Sequence, residues 1–210
     1  MVRLRVRIRF AKQGDLRLIG HRDLMRCFER VFRRAGLAMS FSQGFHPKPR
    51  MTFPAALAVG IEGLDEVMEV ELAESTIAEE LLRRLAPHAP PGLEFRAAEV
   101  LPEGGPKARV QSLRYEASIP SPPPAGLPER IERLLSASSW PITRPNRRVS
   151  IELRPLVLEL ALASDGLTMR LDVAQRGGSA GPRDVLAALG LADLERQGAR
   201  LRRTAVEVRQ

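Results

Sequence analysis

Hydrophobic and polar residues alternate strictly from Val2 to Ala11: Val2, Leu4, Val6, Ile8 and Phe10 fall on one side, Arg3, Arg5, Arg7 and Arg9 on the other. A period of two with one apolar side predicts a half-buried strand. Gly14-Asp15 marks a turn and Leu16–Ile19 reads as a short extended return. The pattern then changes to a helical one, opened by Gly20-His21-Arg22-Asp23 and stopped by Gly36, with Leu24, Phe28, Val31, Phe32 and Ala35 on one stripe. Leu37–Ser42 and Met51–Phe53 read as extended, and Asp65–Ala73 alternates imperfectly, with Glu66, Glu69 and Glu71 among aliphatics. Ser75-Thr76 predicts the cap of a second helix to Ala86, and Leu93–Leu101 a closing strand.

Strand, helix, strand, strand, helix, strand within about 100 residues is the split βαβ order, an antiparallel sheet with both helices on one face. Pro102 to Arg109, with Gly104-Gly105-Pro106 at its centre, reads as a linker. The second half repeats the theme: strand Leu113–Ile119, helix Leu127–Ala137, extended pieces Trp140–Arg144 and Val149–Leu153, a hairpin of Leu156–Ala163 with Leu167–Ala174, a helix from Pro182 to Leu189 and a strand Val206–Arg209. The expected fold class is α+β, two tandem ferredoxin-like domains with antiparallel sheets, at 1–101 and 111–210, joined by a linker at 102–110.

Charge adds the first functional hint. Residues 1–50 hold 13 basic residues against 3 acidic, a net of +10, whereas the remaining 160 residues carry −2. A localised basic surface favours polyanions, nucleic acid foremost. Arg22, Arg26 and Arg30 continue the basic side of the first helix, which equally suits a solvated face. The row Arg5, Arg7, Arg9 has two readings: a polyanion opposite it, or Glu66, Glu69 and Glu71 beside it in the sheet.

Between helix and sheet lies Ser40-Phe-Ser-Gln-Gly-Phe-His-Pro-Lys-Pro-Arg-Met-Thr-Phe53. Pro47 and Pro49 fix φ and stiffen the loop, so Gln43, Phe45, His46, Lys48 and Arg50 are presented to an anionic partner with little ordering cost. His46 and His21 are the candidates for a general base, and Lys48 or Arg50 for stabilising a phosphorane, in a metal-independent ribonuclease. Gly177, Gly178 and Ser179, in the turn before Pro182, form a candidate phosphate-binding loop. Three histidines and one cysteine match no metal template, no nucleophile elbow is present, and the sequence calls for no cofactor. Cys27 falls among apolar helix positions and is expected to be buried. No apolar run approaches the roughly 20 residues of a membrane span, and no signal segment opens the chain, so a cytoplasmic protein without membrane contact is expected.

Three stretches resemble the radical SAM-linked protein family, a bacterial domain of unknown function: Arg7–Arg26 with Gly20-His21-Arg22-Asp23-Leu24-Met25, then Phe28-Glu29-Arg30 with Arg33-Arg34-Ala35-Gly36, and Phe41–Arg50. The resemblance departs at Gly20, where that family more often has Ser, and at His46-Pro47-Lys48-Pro49, where it has Asn-Pro-His-Pro. It implies association with a separately encoded radical SAM enzyme, since this chain has no Cys-x-x-x-Cys-x-x-Cys. The expected role is an accessory RNA-binding protein for that enzyme. The alternatives are the endoribonuclease, which a distant analogy with CRISPR repeat-processing enzymes also suggests, and a module that docks the enzyme through its basic face without RNA.

Overall fold

The computed structural model describes residues 4–144, 150–164, 166–173 and 179–209. The alternation that opens the chain becomes β1 (Leu4–Lys12). It lies antiparallel to both β3 (Glu62–Leu72) and β4 (Leu93–Leu101), and the two-residue β2 (Met51–Thr52) pairs with the far side of β3. The chain divides into two compact units, one ending at Arg109 and one running from Val110 to Arg209.

In the first unit the even-numbered residues of β1 face the helices. Val6, Ile8 and Phe10 pack with Met68, Val70 and Leu72 of β3, with Leu24, Phe28, Val31 and Phe32 of α1 (His21–Arg34), and with Leu81 and Leu85 of α2 (Ala78–Leu85). Phe28 is the hub, its ring 5.0 Å from Phe10, 5.5 Å from Phe53 and 5.8 Å from Phe95 in edge-on or tilted contacts that suit aromatic quadrupoles. Cys27 is buried beside them, as expected, and burial pushes its thiol pKa up while nearby Arg30 offsets part of the shift.

Two local expectations are corrected. Gly14–Leu18 is a 3-10 turn where the pattern of Leu16–Ile19 predicts an extended return; Gly14 at φ +57 starts it, and the Ile19 amide closes it on the Leu16 carbonyl. The second helix starts at Ala78 with Ile77 as its cap residue and no side-chain cap bond, because the Thr76 hydroxyl donates to the Ile77 carbonyl instead. Gly92 has the one backbone form that this approach allows: φ is +87, and a Cβ there would meet the Gln13 carbonyl at 2.3 Å.

The second unit contains β5 (Arg109–Ser118), α3 (Leu127–Ser136), a short ladder of β6 (Pro141–Ile142) with β7 (Ile151–Glu152), then β8 (Val157–Ala163), β9 (Gly166–Asp172), α4 (Pro182–Ala188) and β10 (Leu201–Arg209). Its sheet runs β10-β5-β9-β8. The β8–β9 hairpin expected from the pattern is present, although Asp165 of its turn and Val149 lie outside the described residues. The last strand starts five residues before the expected Val206. The chain is therefore of mixed α+β class, and every strand pairing whose register is given above is antiparallel.

One sheet side of this unit carries a closed ladder of charges. Arg114 Nε lies 2.7 Å from Glu207, and Arg170 reaches Glu207 at 2.7 Å and Glu159 at 3.0 Å. The Ser112 hydroxyl, also donating to Glu207, is the largest cause that lowers its pKa from 4.5 to about 2, followed by the two arginines. A carboxylate held below its unfolded value stabilises the fold above pH 4.5 and loses that contribution as pH falls toward 2. Glu207→Gln is expected to cost on the order of 1–2 kcal/mol at neutral pH after solvent screening. Urea titrations should show the gap between variant and parent closing across that acid window; a gap constant with pH would contradict the ladder.

Candidate nucleic-acid interface

The segment Ser40–Arg50 is a hairpin built by reciprocal backbone bonds. The Arg50 amide donates to the Ser40 carbonyl (2.8 Å), the Ser42 amide to the Lys48 carbonyl (2.8 Å), and the Lys48 amide to the Ser42 hydroxyl (2.9 Å). Phe41 pairs with Pro49 as an isolated bridge. Its base is sewn onto the end of β3: Ser40 N donates to Glu71 O, and Glu71 N to Arg50 O. Arg50 adds a side-chain lock, with Nε donating to the Phe41 carbonyl (3.3 Å) and Nη1 3.5 Å from Glu71. Prolines at 47 and 49 withdraw two donors and leave a stiff projection whose tip, Gln43 to Lys48, is exposed.

At that tip Phe45 is 102% exposed and Phe41 47%. A fully solvated phenylalanine on a braced hairpin buries nothing within its own fold, unlike Phe53, whose ring packs on Phe10, Phe28 and His21. Gln43, His46 and Lys48 surround Phe45 on the same exposed tip.

Near the hairpin base runs the solvent face of α1. Arg22, Arg26, Arg30, Arg33 and Arg34 are all exposed. Arg26 leans on Asp23 at 3.4 Å, a solvated pair worth little; the side chains of Arg22, Arg33 and Arg34 make no hydrogen bond or ion pair among the described residues. A groove of about 550 Å³, lined by Glu29, Arg33, Leu37, Met39 and Phe41, joins the helix face to the hairpin.

The arginines of β1 are placed differently. Arg7 is 8% exposed, its Nε and Nη2 bonded to Glu69 at 3.2 and 3.0 Å and its Nη1 3.5 Å from Glu99. Arg9 pairs with Asp65 at 2.5 Å, and Arg5 donates to the carbonyls of Gly105 and Pro106. The cross-strand register explains the capture of Arg7, which Glu69 and Glu99 flank; Glu71, opposite Arg5, pairs with Arg50 instead, and Arg5 lies 3.9 Å from Glu69. Of the three glutamates weighed for this role, Glu66 opposes Phe10 instead and is buried on the other side. The row is thus internally engaged, and the outward basic charge of the first 50 residues rests on α1 and the hairpin.

His21 is exposed at the start of α1, its ring edge-on to Phe53 at 5.3 Å. It lines a small cavity with Lys12 and Glu66, and His46 is not among that cavity's lining residues. His46 lies instead on the exposed hairpin tip, and among the described residues no ring contact joins it to His21. Gly177 and Gly178 lie outside the described residues. Ser179 is described: its carbonyl accepts from Arg144 (2.7 Å), while Asp184 takes both the Arg144 fork, at 3.0 and 2.6 Å, and the Gly181 amide at 2.7 Å. Asp184 thus caps the start of α4 and anchors Arg144. Among the described residues no group of three or more His, Cys, Asp or Glu is placed to hold a metal ion, and no helix is long and apolar enough to cross a membrane.

The model of a family described as "Uncharacterized protein conserved in bacteria (DUF2344)" matches residues 5–182. Among solved structures, the chain is similar to that of an unknown protein from Galdieria sulphuraria, at 13% identity and TM-score 0.30 over 100% of both chains. No curated protein matches.

Proposed function

The chain belongs to this uncharacterized family of proteins conserved in bacteria, and we propose that it is a cytoplasmic RNA-binding protein that presents structured RNA to a separately encoded radical SAM enzyme. The observation that carries the RNA reading is Phe45, wholly exposed on a braced hairpin whose neighbours are Gln43, His46 and Lys48 and whose base adjoins an arginine-lined helix face. Proteins read unpaired RNA by stacking bases on aromatic rings and holding phosphates with cations, and a stiff presenter loses little entropy in doing so. The enzyme partner rests on the resemblance of Gly20–Met25 and Phe41–Arg50 to the radical SAM-linked proteins. A tandem ferredoxin-like architecture is part of the reading, supported by the orders β4-β1-β3 with β2 beside β3, and β10-β5-β9-β8.

Fluorescence anisotropy of labelled cellular RNA fragments across salt concentrations tests the proposal. Affinity should fall linearly in log–log coordinates as salt rises; a flat response rejects RNA as the partner. Phe45→Ala is expected to lose about 10-fold or more in affinity, the loss of one stacked base at roughly 1–3 kcal/mol. Its thermal midpoint should not move, because the ring buries nothing. If the variant keeps full RNA affinity but no longer retains the radical SAM enzyme in a nuclease-treated pull-down, the hairpin serves protein docking. RNA cut by purified protein in EDTA would favour the nuclease alternative.

A further inference from the structure

A second feature of the first unit lies at the foot of the hairpin. A cleft of about 220 Å³ opens there, lined by Arg5, Pro49, Arg50, Met51, Thr52, Glu69, Val70, Glu71 and Lys107. Lys107 belongs to the segment that reads from sequence as a linker, yet that segment is strapped to the sheet at three points. Arg5 Nη1 holds the Gly105 carbonyl at 2.6 Å, Arg5 Nη2 holds the Pro106 carbonyl, and the Ala108 amide donates to Glu69 at 3.1 Å. Lys107 stands between two of these anchors, so its backbone is fixed over the cleft. Its ammonium makes no hydrogen bond or ion pair among the described residues, and neither does the Thr52 hydroxyl.

Each of the two carboxylates in the lining has a cationic partner, Glu69 Oε2 lying 3.9 Å from Arg5 Nε. Glu69 receives Arg7 Nε, Arg7 Nη2 and Ala108 N, and Glu71 faces Arg50 at 3.5 Å. Four cations, Arg5, Arg7, Arg50 and Lys107, stand against three carboxylates, Glu69, Glu71 and Glu99, which leaves one positive charge in excess, and Lys107 is the cation without an ion pair among the described residues. A preformed concavity with excess positive charge, a free ammonium and a free hydroxyl suits a tetrahedral oxyanion.

We propose that this cleft is a phosphate site, in which Lys107, the outer edge of Arg50 and the Thr52 hydroxyl hold a backbone phosphate of the same RNA strand whose base stacks on Phe45. The proposal rests on the RNA reading above and adds its register: Arg50 is common to the hairpin and the cleft, so strand and loop are engaged together.

The chain holds only three lysines, and Lys12 is buried, so amine acetylation read by mass spectrometry reports Lys48 at the hairpin and Lys107 at the cleft separately. The probe is an oligouridylate of about 12 nucleotides, within the usual single-strand site sizes. Both lysines are expected to be protected several-fold by the oligonucleotide and re-exposed by salt. Protection of Lys48 with Lys107 labelled at its free rate would overturn the phosphate site while leaving the RNA reading intact. Protection of neither would overturn both, and protection of Lys107 alone would support the site and remove the hairpin tip. As a second measurement, Lys107→Gln should shallow the salt slope of binding by about 0.7, the value of one single-strand phosphate contact, without altering the Phe45→Ala effect. An unchanged slope contradicts the site.

Discussion

Glu69→Ala is expected to destabilise the protein by about 3–5 kcal/mol, the range for a buried ion pair that loses one partner. Glu69 is 4% exposed and Arg7 8%, and two of the three Arg7 nitrogens end on this one carboxylate. With alanine there, the guanidinium keeps only Glu99, at 3.5 Å and with 57% of its side chain in solvent. The Ala108 amide loses its acceptor as well. Arg5, whose buried Nε already has no hydrogen-bond partner, loses the carboxylate 3.9 Å away. Urea unfolding measures the loss. The double variant Arg7→Met with Glu69→Leu separates the cause: removing both charges also removes their desolvation cost, so it should recover most of the stability of the parent. A loss below about 1 kcal/mol for Glu69→Ala would mean that solvent screens the pair as it does at a surface, and the account of β1 would be wrong. Arg9, half-buried, is held separately by Asp65 at 2.5 Å, and Arg9→Gln should leave RNA affinity and its salt slope as they were.

Which parts of this arrangement are legible in the sequence follows from the range of the interactions involved. β1 and β4 are legible because each has one apolar side, and the bounds expected for β4, Leu93–Leu101, are those observed. The imperfect alternation of β3 has a structural reason: charges are buried on both of its sides, Glu66 on one and Glu69 on the other, so polarity there no longer reports exposure. The stiffness of the hairpin is local and legible from Pro47 and Pro49; its anchoring to β3 through Ser40, Arg50 and Glu71 is not. The placement of Lys107 is not legible for the same reason. Nothing near it in sequence indicates that Arg5, about a hundred positions earlier, holds the carbonyls on its N-terminal side. The start of α4 shows a long-range pairing of the same kind. Arg144 and Asp184, 40 residues apart, meet at the start of α4, while Gly177 and Gly178 lie outside the described residues.

With the β1 arginines engaged internally, the proposed RNA contact draws most of its charge from α1 and the hairpin, with Lys107 beside them, and reversing the α1 face should be the most damaging change for binding. The triple variant Arg22→Glu, Arg30→Glu, Arg33→Glu alters positions spaced eight and three apart, which share one side of the helix. Arg22 and Arg33 have no internal ion pair among the described residues, and all three are exposed; the one bond to the core that the substitutions remove is the weak hydrogen bond between Arg30 and the Cys27 thiol. Glutamate at 22 suits the helix N-terminus and glutamate at 33 opposes its C-terminus, effects of similar size and opposite sign. Stability should therefore stay within about 1 kcal/mol of the parent. Binding should not. Three lost phosphate contacts remove about two units from the log–log salt slope, and three new carboxylates beside Asp23 and Glu29 repel what remains. At about 0.15 M salt the combined effect is roughly a thousandfold loss of affinity. Anisotropy titrations paired with circular dichroism decide the matter: a folded triple variant that binds within about threefold of the parent would show that this helix face is only a solvated surface.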